Sequence, residues 1–216
     1  MHDQALLPVI IATAAIGLIP FAVITTTAFL KISVVLFLVR NALGTQQTPP
    51  TLVLYAIAIV LSAYVSAPLA SLIYAKVVAT NADVSSVDGL RAVGNAIVGP
   101  LRDNLERFAR PSERDFLLAA ARKIWPPDFF AQASPHDLLI VIPAFVISEL
   151  TRAFEIGFLL YLPFIAVDLI VSNVLMAMGM IMLSPTVIST PLKVFLFVLV
   201  AGWTRLLHGL VLSYGG

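Results

Sequence analysis

Two long stretches of this chain carry no charge at all, and that feature narrows its possible folds more than any other. Ala5–Leu30 runs for 26 residues and Thr51–Ala75 for 25 without an Asp, Glu, Lys or Arg. About 20 apolar residues are enough for a helix to cross the hydrocarbon core of a bilayer, where every backbone polar group must be satisfied internally. Both runs therefore predict membrane helices. The composition agrees, at 60% hydrophobic and 12% charged residues with a mean hydropathy of +0.99. The expected class is an all-α integral membrane protein. A net charge of +1, from 13 Lys and Arg against 12 Asp and Glu, leaves no basic face to grip nucleic acid. With no cysteine there is neither a disulfide scaffold nor a Cys-ligated metal site.

Met1–Gln4 lack the Lys or Arg that opens a secretory leader, and apolar sequence continues past Ala12–Ala14, so the first run reads as a retained helix. Pro8 and Pro20 are expected to bend it, and the helical pattern extends past Lys31 through Val34, Val35, Leu36 and Leu38. Arg40–Pro50 is turn chemistry, and Pro68 is the expected kink of the second span. Charge then concentrates: residues 80–136 hold 14 of the chain's 25 charged side chains, seven of each sign. That stretch reads as a small solvated helical insert. Leu90, Val93 and Ile97, then Leu101, Leu105 and Phe108, recur at helical spacing, with Gly99-Pro100 read as a break between two helices. Ser112 and Asp115 form the outline of a capping box for a further helix that ends by Trp125-Pro126-Pro127. With so few core positions the insert is expected to need neighbours for stability.

Apolar sequence returns at Leu138 and runs to Leu183, interrupted by Glu149, Arg152 and Glu155, which suits one long kinked helix or a re-entrant hairpin. After the Ser184-Pro185-Thr186 turn, Val187–Leu212 predicts the last apolar helix, for four spans in all. The expected organisation is two membrane hairpins, over 1–79 and 137–216, flanking an extracytoplasmic insert over 80–136. Lys31 and Arg40 beside the first loop place that loop in the cytoplasm by the positive-inside rule, with the insert and both termini on the far side.

Six ionic residues sit in or beside apolar helices: Lys31, Glu149, Arg152, Glu155, Asp168 and Lys193. An unpaired charge at the centre of a membrane helix costs about 2.5–3.5 kcal/mol on insertion scales, so these groups are expected to pair or to lie in water. Glu149, Arg152 and Glu155 follow one another at i,i+3 spacing, which favours pairs that also reach a neighbouring subunit. Two alternatives stay open: snorkelling to headgroups, which suits Lys31, Arg40 and Lys76, and a proton relay through the carboxylates. Met176, Met178, Met180 and Met182 read, from the residues alone, as membrane-helix packing. His2, His136 and His208 have no metal-ligand spacing, and no GxSxG, P-loop or dinucleotide fingerprint occurs. No catalytic residue, metal or cofactor is expected.

Several of these segments carry a resemblance. Thr27–Lys31 followed by Leu38–Pro50 resembles the first signature of the FliP/SctR family. Pro143–Phe158, continuing through Tyr161–Phe164 and Asp168 to Gly179-Met180, resembles the second and more specific one. Pro191, Lys193 and Gly202-Trp203 extend the match, and the ending Leu206–Gly216 is similar to the virulence-type (SctR) members. The resemblance implies a non-enzymatic core subunit of the type III secretion export gate in the bacterial inner membrane. It implies a homo-oligomer, a pentamer, built with SctS-, SctT- and SctU-like subunits around a pore for unfolded secreted proteins. It also implies that a methionine-rich loop seals the pore at rest, at the matching positions Met180, Ile181 and Met182. Ile181 departs from the family's usual third methionine, and Ala201 replaces its usual acid before Gly-Trp. A ring of methionines suits such a gasket because the unbranched, polarizable side chain deforms around varied cargo. The rival readings are a small secondary transporter or ion channel, of which a transporter would show paired halves not seen between 5–75 and 138–212, and an intramembrane protease, for which Asp168 lacks a facing partner acid.

Overall fold

A computed structural model describes residues 17–18, 20–45, 47–82 and 86–215. The start of the first apolar run, with Pro8 and His2, lies outside the described residues. The chain is all-α, with no strand among the described residues. Its helices in order are α1 (Pro20–Thr26), α2 (Phe29–Ala42), α3 (Thr51–Thr80), α4 (Val87–Phe108), α5 (Pro111–Ile124), α6 (Pro127–Phe130), α7 (Leu138–Ala177), α8 (Pro185–Leu199) and α9 (Gly202–Leu212). Among the described residues α3 and α7 are each long and apolar enough to cross a membrane, and up to four crossings result if the broken pairs α1–α2 and α8–α9 each make one.

Among the described residues the first run breaks at Thr27-Ala28, seven residues past Pro20. Thr25, Thr26 and Thr27 donate their hydroxyls to the carbonyls of Phe21, Ala22 and Val23 at 2.7, 2.6 and 2.6 Å. Such back-bonding competes with the amide ladder and bends helices. Thr27 Oγ1 then accepts from the Phe29 amide at 3.3 Å, starting α2. In the insert the opposite happens: Pro100 lies inside the continuous helix α4, although Gly99-Pro100 reads as a break. The apolar spacing from Leu90 to Phe108 runs through the proline without a phase shift, and the half after it is anchored by the buried Leu105, although Leu90 and Ile97 before it stay exposed. Ser86 caps α4 by accepting from the Gly89 amide at 3.0 Å. The expected capping box at Ser112 does not form. α5 opens at Pro111, whose fixed φ suits the first helical position, and Ser112 falls inside the first turn. Helix α5 does stop at Ile124, before Trp125-Pro126-Pro127.

The described residues fall into two compact units that interleave in sequence. One contains the residues up to Leu30 together with Ser66–Leu150. Its core is formed by Leu105 and Ala109 of the α4 end against Val141, Ala144 and Phe145 of α7, with Leu101, Phe108 and Leu117 packed around them. The insert thus takes its stability from the first turns of α7. The Ser148 hydroxyl accepts from the Arg110 amide at the α4–α5 junction at 2.9 Å and donates to the Ala144 carbonyl at 2.7 Å.

The other unit contains Lys31–Val65 and Thr151–Gly216. Ile32, Val35, Leu36 and Val39 of α2 are buried. Leu38 lies so close to Gly157 of α7 that a Cβ there would stand 2.2 Å from it. The stretch Leu138–Ala177 is a single helix of 40 residues, which settles the choice between a long helix and a hairpin. The final apolar stretch, expected as one helix, is instead broken between α8 and α9 with a bend of 61°. Ala201 takes a left-handed conformation (φ 51°, ψ 44°), and Gly202 has no Cβ to collide with the Phe197 ring, which an added Cβ would approach to 2.3 Å.

Candidate functional site

Two features in the second unit follow from this framework. The first is the turn between α7 and α8. Helix α7 ends in a Schellman motif: the Met180 amide donates to the Leu175 carbonyl at 2.9 Å and the Gly179 amide to Met176 at 3.0 Å, with Gly179 at φ 74°. The chain then turns through Met180, Ile181, Met182 and Leu183 before Ser184 starts α8. Four consecutive apolar side chains therefore occupy the turn. Ile181 is 84% exposed and Met182 103%, with Met180 at 43%. Loops are ordinarily polar, and covering an apolar side chain of this size is worth about 1.5–3 kcal/mol.

The second feature is a buried ionic node. Lys193 of α8 places its ammonium 2.5 Å from Asp168 Oδ2 of α7 and donates to the Ala42 carbonyl at the end of α2, at 3.3 Å. One lysine thus ties three helices of the unit together. Its side chain is 7% exposed and that of Asp168 40%. Asp168 Oδ1 and the fully buried Ser189 Oγ, one turn before Lys193, have no hydrogen-bond partner among the described residues.

Lys31 is 2% exposed and sits over the Tyr214 ring, 3.6 Å from its centroid. It therefore does not snorkel, as its place at a segment end suggests it would; a cation above an aromatic face is attracted by the ring quadrupole. Glu149 is fully buried, Arg152 half-buried and Glu155 exposed. Of the expected charge set, the structure brings together Asp168 and Lys193, which are 25 residues apart. It also adds two members that no local pattern signals: the Ala42 carbonyl on Lys193 and the Tyr214 ring beneath Lys31. Arg40 stays at its loop, bonding Thr51 Oγ1 at 3.0 Å. Among the described residues no three His, Asp or Glu gather as a metal-ligating set.

An all-α membrane protein with an ion pair locked among apolar helices and an apolar turn held out at a helix end is the class this fold and site define. The pattern of the FliP family matches residues 12–210. A probable translocation protein, y4yL, of Sinorhizobium fredii is 53% identical over 98% of this chain and 96% of its own. The Yop proteins translocation protein R of Yersinia pestis is 44% identical over 96% and 95%. The virulence protein YscR of Salmonella typhimurium is 39% identical over 92% of each. The chain belongs to the FliP family. It is accordingly a membrane component of the type III protein secretion apparatus that works with other components of that apparatus, and it is not an enzyme.

Proposed function

We propose that this chain is a core subunit of the export gate, several copies of which, five in our reading, encircle a pore with SctS-, SctT- and SctU-like partners. Unfolded proteins cross the bacterial inner membrane through that pore, and the turn Met180–Ile181–Met182 closes it at rest. The observation that carries this reading is the turn itself: a rigid helix end presents apolar side chains, one of them fully exposed, where a single chain gains nothing from them. Around a symmetry axis the same side chains would cover one another, which returns their hydrophobic free energy and excludes water and ions from the axis. Methionine and isoleucine together give a plug that is greasy enough to seal and soft enough to part.

In this arrangement the two membrane hairpins are 1–79 and 137–216, with 80–136 on the periplasmic side and the loop after Arg40 in the cytoplasm. Glu149, Arg152 and Glu155 take part in pairing between subunits, and Asp168, Lys193 and Lys31 in pairing inside each subunit. Replacing Met180 and Met182 together by alanine should make the membrane leaky to small ions while the assembled complex keeps its size. Ion flux in cells or planar bilayers measures this, and an unchanged conductance in the double variant counts against the gasket.

A further inference from the structure

We propose that the cleft in the crook of α8 and α9 binds an anionic phospholipid, with one acyl chain in the cleft and the headgroup phosphate on Arg205. The cleft has a volume of about 450 Å³, inside the range of about 300–1,000 Å³ typical of ligand pockets. Its walls are Leu160 and Phe164 of α7, Phe197 of α8, and Leu206 and Leu210 of α9, and its lining is almost wholly apolar. The backbone builds it. The left-handed Ala201 turns α9 back at 61° to α8, and the bare Cα of Gly202 lets the Phe197 ring stand as a wall, 6.1 Å from the Phe164 ring.

Arg205 is the one charged residue of the lining. It is exposed, and no ion pair or hydrogen bond engages its guanidinium among the described residues. No acidic residue follows Asp168 in the sequence, and Asp168 already holds Lys193. An apolar slot beside an unmatched guanidinium is the complement of an amphiphile with a hydrocarbon tail and an anionic head. The planar guanidinium matches two phosphate oxygens at once, and basic pockets between membrane helices take anionic headgroups for this reason. A hydrophobic side chain from a second copy would fill the slot but leave the guanidinium without an anion.

The test uses the full-length chain, purified, stripped of lipid and examined by native mass spectrometry with phosphatidylglycerol or phosphatidylcholine of identical acyl chains. Two variants separate head from tail. Arg205→Gln removes the cation, and Gly209→Leu fills the slot, since a Cβ at Gly209 lies in the lining and meets nothing within 4 Å. The wild type should retain phosphatidylglycerol over phosphatidylcholine by roughly tenfold, the scale of one charge-assisted pair. Arg205→Gln should equalise the two lipids, Gly209→Leu should lower retention of both, and Lys76→Gln, an exposed cation elsewhere, should change neither. Equal retention by the wild type, or a preference that survives Arg205→Gln, overturns the proposal. So does a photo-crosslinker at Leu160 that captures a second protein chain in place of lipid.

Discussion

At the scale of single residues, Lys193 holds the second unit together through one ammonium shared between a carboxylate and a helix-terminal carbonyl. Removing it leaves Asp168 with neither oxygen bonded among the described residues and the Ala42 carbonyl without its lysine donor. An abandoned buried polar group costs about 1–3 kcal/mol, and the partial exposure of Asp168 keeps the loss inside that range. Lys193→Met should therefore lower the thermal midpoint of the detergent-solubilised chain by about 2–4 °C per kcal/mol lost. Adding Asp168→Leu should recover much of it, because an apolar pair of similar volume often replaces a buried ion pair at no cost. A double variant no more stable than Lys193→Met alone would show that the pair is not the unit of stabilisation. Each of these charges is conspicuous in the sequence because insertion into apolar surroundings is costly. Their partnership is not legible there, since helix geometry relates only residues three or four apart, whereas Lys193 reaches back 25 residues to Asp168 and 151 to Ala42. Ser148 is hidden in the same way. A serine in an apolar helix looks ordinary until a distant amide is found donating to it.

At the scale of elements, what breaks a helix here is side-chain competition and backbone sign more than proline. Pro68, Pro100 and Pro191 all lie inside helices, while the breaks fall at Thr27-Ala28 and at Val200-Ala201. Proline carries a strong local penalty, yet at these three positions the helix continues through it. Three consecutive threonines carry a weak penalty each that becomes decisive when all of them turn onto the backbone. A left-handed alanine has no sequence mark at all, so the final apolar stretch reads as one helix. That alanine is also a lever on the fold. An L-residue with a side chain pays about 1–2 kcal/mol in the left-handed region, which glycine does not pay. Ala201→Gly should raise the unfolding midpoint, tempered by glycine's extra freedom in the unfolded chain, and Ala201→Val should lower it, because a branched Cβ worsens the same clash. The expected order is Gly above Ala above Val; if α8 and α9 ran together as a single straight helix in solution, it would instead be Ala above Val above Gly, the order of helix propensity.

At the scale of the whole molecule, the length of α7 sets the problem that assembly has to solve. Its 40 residues extend roughly 60 Å at about 1.5 Å per residue, twice the roughly 30 Å of hydrocarbon a bilayer provides. Its exposed apolar residues continue along nearly all of that length, from Leu139 through Phe158 and Leu159 to Leu169 and Met176. Lipid can cover at most about half of such a helix, and the remainder needs protein. Hydropathy alone makes the burial legible but not the medium that supplies it, because lipid tails and a neighbouring subunit are equally apolar. The chain has no cysteine, so single cysteines introduced along α7 report their surroundings without background. In membranes holding this chain alone, a membrane-impermeant maleimide should label the exposed positions of one half of α7, tested at Leu139, Phe154, Leu159, Leu169 and Met176. Expressed together with the rest of the export apparatus, the labelled half should become protected while the lipid-covered half stays as it was. A labelled half that stays labelled on assembly would mean that no partner covers it, and the copies would then have no apolar reason to gather around an axis along that part of α7.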